Sequence, residues 1–424
     1  MLVLTIYIAI FVSAYFIYAF AYGNKAPKRG FNANKTITFG DESAVTSNRT
    51  ASVISVITIF TIWGAFTGSS LVPLHVPGPF TGDTSFTYTA TNADNQQDDA
   101  VVYVRVGLVG EEIEDPVAPD VANPGFAIDD VATIRAWRSG LIKVRKNDFG
   151  SDAEGYVVSA IDGQPIVPNQ TVSVVDGQIR MTGKGTLSFE PNQGWQMEAI
   201  WLPAPEAIVK RLIEISRDGY QNVTLSENIG WSLFRVVTGF LLGSLVGIPL
   251  GYAMGLNDWF RGWFDPIVEF MRPIPPLALI PLVIIWFGIW EQGKISLLFL
   301  AALWIMTISS RAGVSGVSIS KVHAAYSLGA SKRQVLLHVI VPNSLPEIFT
   351  GARVAMGVCW GTVVAAELVA AEKGAGKMII AASKFQQTDI VIMGIILIGV
   401  IGFSIDILMR YAERKLVPWK GKSD

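Results

Sequence analysis

Seven stretches of this chain, at residues 1–22, 51–71, 228–255, 274–290, 295–310, 349–370 and 388–409, are apolar over long runs. Each comes close to the ~20 residues needed to cross a ~30 Å hydrocarbon core. Only a helix satisfies every backbone group of a single segment inside lipid. The expected fold is therefore a polytopic α-helical membrane protein of about seven spans. Half of the 424 residues are hydrophobic, 16% are charged and the mean hydropathy is +0.41, more than one water-soluble interior would hide. The first stretch lacks a basic n-region and a small-residue cleavage site, so it reads as an anchor helix rather than a signal peptide. The single cysteine, Cys359, lies in an apolar run, which excludes an intramolecular disulfide and leaves no thiol zinc site.

Basic residues set the orientation. Lys25, Lys28, Arg29, Lys35 and Arg49 lie in the 23–50 loop, Arg311, Lys321, Lys332 and Arg333 in the 311–346 loop, and Arg410, Arg414, Lys415, Lys420 and Lys422 in the tail. All three segments are expected in the cytoplasm. Seven spans then put the amino terminus and residues 72–227 outside and the carboxyl terminus inside. Residues 78–200 carry 18 Asp and Glu against 8 Lys and Arg, a balance of −10, so the rest of a chain of net charge −2 stands at +8. Alternation in Thr84-Ser-Phe86-Thr-Tyr88-Thr, Val101-Val-Tyr-Val104-Arg-Val106 and Thr171-Val-Ser-Val174 predicts strands between Asp, Asn and Gly turns. The acidic middle is expected to be an inserted extracytoplasmic all-β sandwich domain. Asp129, Asp130, Asp148, Asp152 and Glu154 in its turns are oxygen ligands of the type calcium takes, although acidic turns on a solvated sandwich are the ordinary case.

Within the spans, Gly239, Gly243, Gly247, Gly251 and Gly255 recur every fourth residue and predict a close helix–helix contact. Pro249 in the same span predicts a bend. Arg272-Pro-Ile-Pro-Pro276 and Pro281 predict a broken backbone in the next span, tolerated at membrane depth where protein or a water-filled cavity satisfies it. Charges inside spans are costly. The expected topology places Arg235 with Glu367 in the outer part of the bilayer, and Arg353 with Asp406 in the inner part. They are candidates for buried ion pairs that fix helix register, or for arginines that meet an anionic substrate in the pathway. Gly288-Ile-Trp-Glu-Gln-Gly293-Lys294-Ile295 has P-loop spacing, but Ile295 replaces the required Ser or Thr and no strand precedes it. The sequence offers neither a nucleotide site, a cofactor site nor a metal-ligand cluster, and its three histidines, His75, His323 and His338, are scattered.

The polar, basic segment His323-Ala324-Ala325-xxx-Gly329-Ala330, followed by Val339-x-Val341-Pro342, resembles the EAA coupling loop of ABC importer permeases, with His323 where the family carries glutamate. Leu202-Pro-Ala-Pro205, Gly247-Ile-Pro-Leu-Gly251, Arg261-Gly-Trp-Phe-Asp-Pro266, Ser327-Leu-Gly-Ala-Ser331, Ala365-Ala-Glu-Leu368 and Leu416-Val-Pro-Trp419 extend the resemblance across residues 201–420. Together they are similar to the nitrate, sulfonate, taurine and bicarbonate permeases, most of all to taurine permeases. The organisation implied is an extra span and basic loop at 1–50, the first span of the core at 51–77, the insert at 78–200, and the permease core at 201–424 with its coupling loop at 312–346. Pieces of the insert, Gly82 to Thr89 and Ala127 through Asp148 to Asn192, resemble the end and the beginning of bacterial cadherin-like surface repeats in swapped order. They read either as one permuted sandwich or as two partial repeats.

The resemblance implies a transport subunit without chemistry of its own, in the inner membrane of a two-membrane bacterium. It further implies a separate ABC ATPase subunit, a periplasmic substrate-binding protein and a second copy of the chain as partners, with no nucleic acid. A short helix ending at Gly329 and a second from Lys332 would form the projection that seats in the ATPase. The expected substrate is taurine or a related small sulfonate; another alkanesulfonate, nitrate or bicarbonate is the alternative. A membrane-anchored adhesion or sensing protein is the remote one.

Overall fold

The computed structural model describes residues 2–22, 49–116, 125–151 and 155–419. It divides into two compact units, Met1–Glu206 and Ala207–Asp424. Lys25, Lys28, Arg29, Lys35, Asp152, Glu154, Lys420 and Lys422 lie outside the described residues.

In the first unit, α1 (Leu2–Tyr22) and α2 (Arg49–Thr67) are apolar helices joined by a hydrogen bond of 2.8 Å between Tyr7 Oη and Ser55 Oγ. Nine strands follow: β1 (Gly82–Thr91), β2 (Gln97–Gly107), β3 (Asp130–Arg135), β4 (Gly140–Ile142), β5 (Val157–Ile161), β6 (Gln164–Pro165), β7 (Thr171–Val174), β8 (Gly177–Met181) and β9 (Leu187–Pro191). They form a five-stranded sheet, β3-β2-β1-β5-β6, and a four-stranded sheet, β4-β9-β8-β7. The period-two pattern legible in the sequence decides which side chains turn inward. Phe86, Tyr88 and Ala90 of β1 and Val102, Val104 and Val106 of β2 meet Ile179 and Met181 of β8 and Leu187 and Phe189 of β9 in one core. The rings of Phe86 and Phe189 stack across it at 6.1 Å. Both resembling pieces of the insert thus contribute to a single sandwich core.

The second unit is helical: α3 (Pro205–Asp218), α4 (Leu225–Leu256), α5 (Asp258–Met271), α6 (Ile280–Phe287), α7 (Glu291–Ser315), α8 (Ile319–Ser327), α9 (Lys332–Val335), α10 (Val341–Ala370), α11 (Ala375–Lys384) and α12 (Thr388–Leu416). Every glycine of the stripe faces α7. An added Cβ would lie 2.4 Å from Leu298 Cβ at Gly239, 2.6 Å from Ala302 Cβ at Gly243, 3.0 Å from Met306 Cβ at Gly247, 2.6 Å from Ser310 Cβ at Gly251 and 2.8 Å from Val314 Cγ1 at Gly255. The partners advance by four as the glycines do, so α4 and α7 run parallel in register. The stripe is a contact within the unit. Gly251→Ala, whose Cβ would also lie 2.5 Å from the Thr307 carbonyl oxygen, should cost about 1–3 kcal/mol by forcing the backbones apart. Gly262→Ala, with open space at its Cβ, should leave thermal unfolding of the purified chain unchanged.

Two parallel neighbours need a return path, which residues 257–290 supply. The expected span at 274–290 is broken, as its prolines predict. It is a three-ten turn, Pro276–Leu279, running into the eight residues of α6, and α5 with Pro276–Phe287 is bent by 90°. Pro273, Pro275 and Pro276 have no N–H to donate, and Pro275, before Pro276, is extended at ψ 133°, while Arg272 stays helical at φ −52°, ψ −48°. Among the described residues the seven expected spans become five helices long and apolar enough to cross a membrane, six if the bent pair counts as one, and the apolar stretch Val3–Tyr18 of α1 is shorter. Pro249 stays inside the unbroken helix α4. Helices α9 and α10 join through a π turn at Leu336–Ile340, where the Val341 N–H reaches back five residues to the Leu336 carbonyl. That widening makes room before Pro342, which would otherwise clash with the preceding turn. The result is one long helix over Lys332–Val369, of 38 residues.

Candidate functional site

Near the start of α4 and the end of α10, four charges of balanced sign come together. Arg235 Nη1 donates to Glu367 Oε1 and to the Lys373 carbonyl, both at 2.7 Å, while Nε and Nη2 clasp the Glu291 carboxylate at 2.6 and 2.7 Å. Lys294 Nζ completes the set with 2.7 Å to Glu291 Oε1. The side chains of Arg235 and Glu367 are 1% and 0% exposed. Such a pair is tolerable only when every remaining lone pair and proton is used. The structure meets that demand: Ser232 Oγ donates to Glu367 at 2.8 Å, and the Gly376 N–H, in the first turn of α11, donates to its other oxygen at 3.0 Å. Helix α11 also points its positive amino-terminal end at this carboxylate. Gly374, at φ +143°, packs so tightly here that a Cβ would lie 2.4 Å from the Glu367 carboxyl carbon.

Arg235 was legible as half of a pair, but its larger partner was not. Glu291 and Lys294 belong to the segment set aside as a failed P-loop. The overlooked signal is Glu291-x-x-Lys294 opening an apolar helix, a spacing that places opposite charges on one helix face. Four Arg235 N–H···O bonds reach protein oxygens and tie α4 to α7, α10 and the Lys373 carbonyl.

Arg353 and Asp406 also meet, more loosely: Nε to Oδ1 is 3.3 Å, Arg353 Nη1 lies 3.7 Å from Glu413 Oε2, and Arg410 Nε holds the other Asp406 oxygen at 2.7 Å. This cluster ties α10 to α12. Arg311 bonds Asp265 and reaches Glu269 at 3.1 Å, fixing α5 against the last turn of α7.

The coupling-loop segment forms a helical projection. Helix α8 carries His323, Ala324 and Ala325 and ends as the Gly329 and Ala330 N–H groups bond the Tyr326 and Ala325 carbonyls at 2.9 and 3.1 Å. Gly329 takes φ +82°, the left-handed turn glycine makes at no steric cost. Ser331 and Gln334 then form a capping box that starts α9. Beyond it, Trp419 Nε1 donates 3.2 Å to the Pro342 carbonyl. The tip is apolar yet exposed: Leu328 is 88% accessible, and Ile319, Tyr326 and His323 are exposed beside it.

Of the calcium candidates, Asp129, Asp130 and Asp148 lie among the described residues. Asp129 accepts from the Val101 N–H at 2.8 Å, and Asp148 accepts from Tyr88, Tyr156 and the Ile128 N–H. Burial, and then the charge of Asp148, raises the Asp130 carboxyl to about 7. Among the described residues no three His, Cys, Asp or Glu side chains are placed to hold a metal.

Comparison with known proteins decides the family. The taurine transport system permease protein TauC of Escherichia coli (strain K12) is 45% identical over 224 residues, which cover 53% of this chain and 82% of that protein. The chain belongs to the ABC importer permeases. Residues 240–418 match the family described as "Binding-protein-dependent transport system inner membrane component". The putative aliphatic sulfonates transport permease protein SsuC of Escherichia coli (strain K12) is 36% identical over 53% of this chain and 84% of its own. The nitrate import permease protein NrtB of Synechococcus elongatus is 28% identical over 59% and 85%. A solved chain of the MetNI methionine ABC transporter, in an inward facing form, aligns with TM-score 0.42 and 17% identity over 45% of this chain and 94% of that one. As an ABC permease this is a multi-pass inner-membrane transport subunit without enzymatic activity. ATP hydrolysis falls to a separate subunit, and delivery of substrate to a binding protein. Membership does not favour the adhesion or sensing reading. The matched region 240–418 contains Glu291, Lys294 and Glu367 of the charge network and the projection; it begins after Arg235 and leaves the sandwich outside it.

Proposed function

We propose that two copies of this permease line a passage for taurine or a related small sulfonate, with the α8–α9 projection seated in a cytoplasmic ATPase subunit. The likeness to TauC carries the substrate class. The amino terminus and the sandwich then face the periplasm and the carboxyl terminus the cytoplasm. The exposed apolar tip around Leu328 offers what a groove in a partner protein buries. Transmission has a physical route, because Lys332 beside the tip and Glu367 in the charge network share one helix of 38 residues, roughly 57 Å long at 1.5 Å per residue. Movement of the projection would tilt this lever and load the network at its far end.

The relation to SsuC and NrtB supports a second reading, in which another alkanesulfonate or nitrate is carried. Uptake of radiolabelled taurine into vesicles holding the permease, its ATPase and its binding protein separates the two. We expect ATP-dependent taurine accumulation, diminished by unlabelled short alkanesulfonates and untouched by excess nitrate. Nitrate accumulation without taurine uptake would replace the first reading by the second.

A further inference from the structure

The segments on either side of the sandwich, residues 68–77 and 192–203, wrap the last turn of α2 instead of rising away from it. Ser69 N donates to Gly64 O at 3.0 Å, Val76 N to Ala65 O at 3.2 Å, and Met197 N to Phe66 O at 2.8 Å, while the Trp63 indole reaches Pro203 O at 3.0 Å. Residues up to ten positions past the helix thus lie level with its end. Their polar groups bond one another: Ser69 Oγ and the Ser70 N–H bond Glu206 at 2.6 and 2.9 Å, His75 Nε2 meets the Ser69 carbonyl at 2.8 Å, Gln196 Nε2 donates to Val76 O at 3.0 Å, and Glu198 pairs with Arg138 at 2.7 Å. Apolar groups turn outward: Leu71, Leu74, Trp195, Met197 and Trp201 are 58, 70, 63, 44 and 72% exposed.

We propose that this collar is a lipid-binding surface that seats the base of the sandwich in the headgroup region of the bilayer. Helix α2 has 19 residues, about 28 Å at 1.5 Å each, so it barely spans the ~30 Å core and its last turn falls at the boundary. Whatever encircles that turn shares its depth. Tryptophan is the residue that favours this layer, with an apolar body and one polar edge. An apolar surface continuous with a membrane span, and with its polar groups satisfied internally, fits lipid better than water.

The test uses the full chain with Cys359, its sole cysteine, replaced by alanine. Single cysteines at Leu74→Cys, Trp201→Cys and Asp94→Cys, the last exposed on the β1–β2 turn at the far end of the ten-residue strand β1, carry a bimane label in phosphatidylcholine vesicles. Brominated lipid should quench the labels at 74 and 201 severalfold more than at 94, and aqueous iodide should do the reverse. Iodide access at 74 and 201 equal to that at 94 would overturn the proposal in favour of a collar standing in water. Shielding from both quenchers would overturn it in favour of cover by protein, whether a second copy or a binding protein.

Discussion

Arg235→Ala should destabilise the helical unit by about 3–5 kcal/mol, the cost of leaving a buried charge without its partner. Among the described residues the guanidinium alone bonds Glu291, Glu367 and the Lys373 carbonyl together. Without it Glu367 keeps Ser232 and the Gly376 N–H, two dipoles in place of a charge, while Glu291 keeps Lys294. Arg235→Lys should recover little, because one ammonium cannot fork between carboxylates on α7 and α10. Removing Glu367 as well takes away the stranded charge. The Arg235→Ala, Glu367→Ala double variant should therefore unfold at a higher temperature than the two single losses would sum to, with a coupling of about 1–3 kcal/mol. Thermal unfolding of the four proteins in one detergent measures this. Strict additivity would mean that the contact fixes nothing.

How far this site was readable from sequence depends on the length scale of its signals. The glycine stripe was legible because four-residue spacing maps directly onto one helix face, but nothing in it named α7; that came from a matching run of Leu298, Ala302, Met306, Ser310 and Val314, which looks like any apolar helix. Arg235 and Glu367 stood out as charges in apolar runs, and opposite chain directions placed them at one depth. Glu291 was hidden because it opens its helix, where a charge costs little and so draws no notice. At 274–290 two signals act on different scales: hydropathy registers apolar length and marks a span, whereas the prolines at 273, 275 and 276 act on backbone geometry and mark its break, which the structure shows. The sandwich was easier, since alternation is local, although its sheet order β3-β2-β1-β5-β6 depends on long-range pairing that no window contains.

Leu328→Asp should abolish coupling while leaving the permease folded. The side chain is 88% exposed, so within the chain its replacement should move stability by no more than about 0.5 kcal/mol. At a docking surface the same change puts a charge where an apolar anchor enters a groove. An anchor of this kind is worth about 2 kcal/mol or more, which weakens ATPase binding roughly 30-fold. Gly329→Val approaches the same end differently: its Cβ meets open space, but φ +82° is strained for a branched side chain, so α8 should leave the turn at a new angle. Both variants should reach the membrane in normal amount, lose the co-purifying ATPase and fail in ATP-driven uptake. Leu328→Asp with full ATPase recovery and full uptake would remove the projection from the coupling path. Wild-type ATPase binding with uptake lost only in Gly329→Val would place the coupling in the angle of α8, with the side chains at its tip as bystanders.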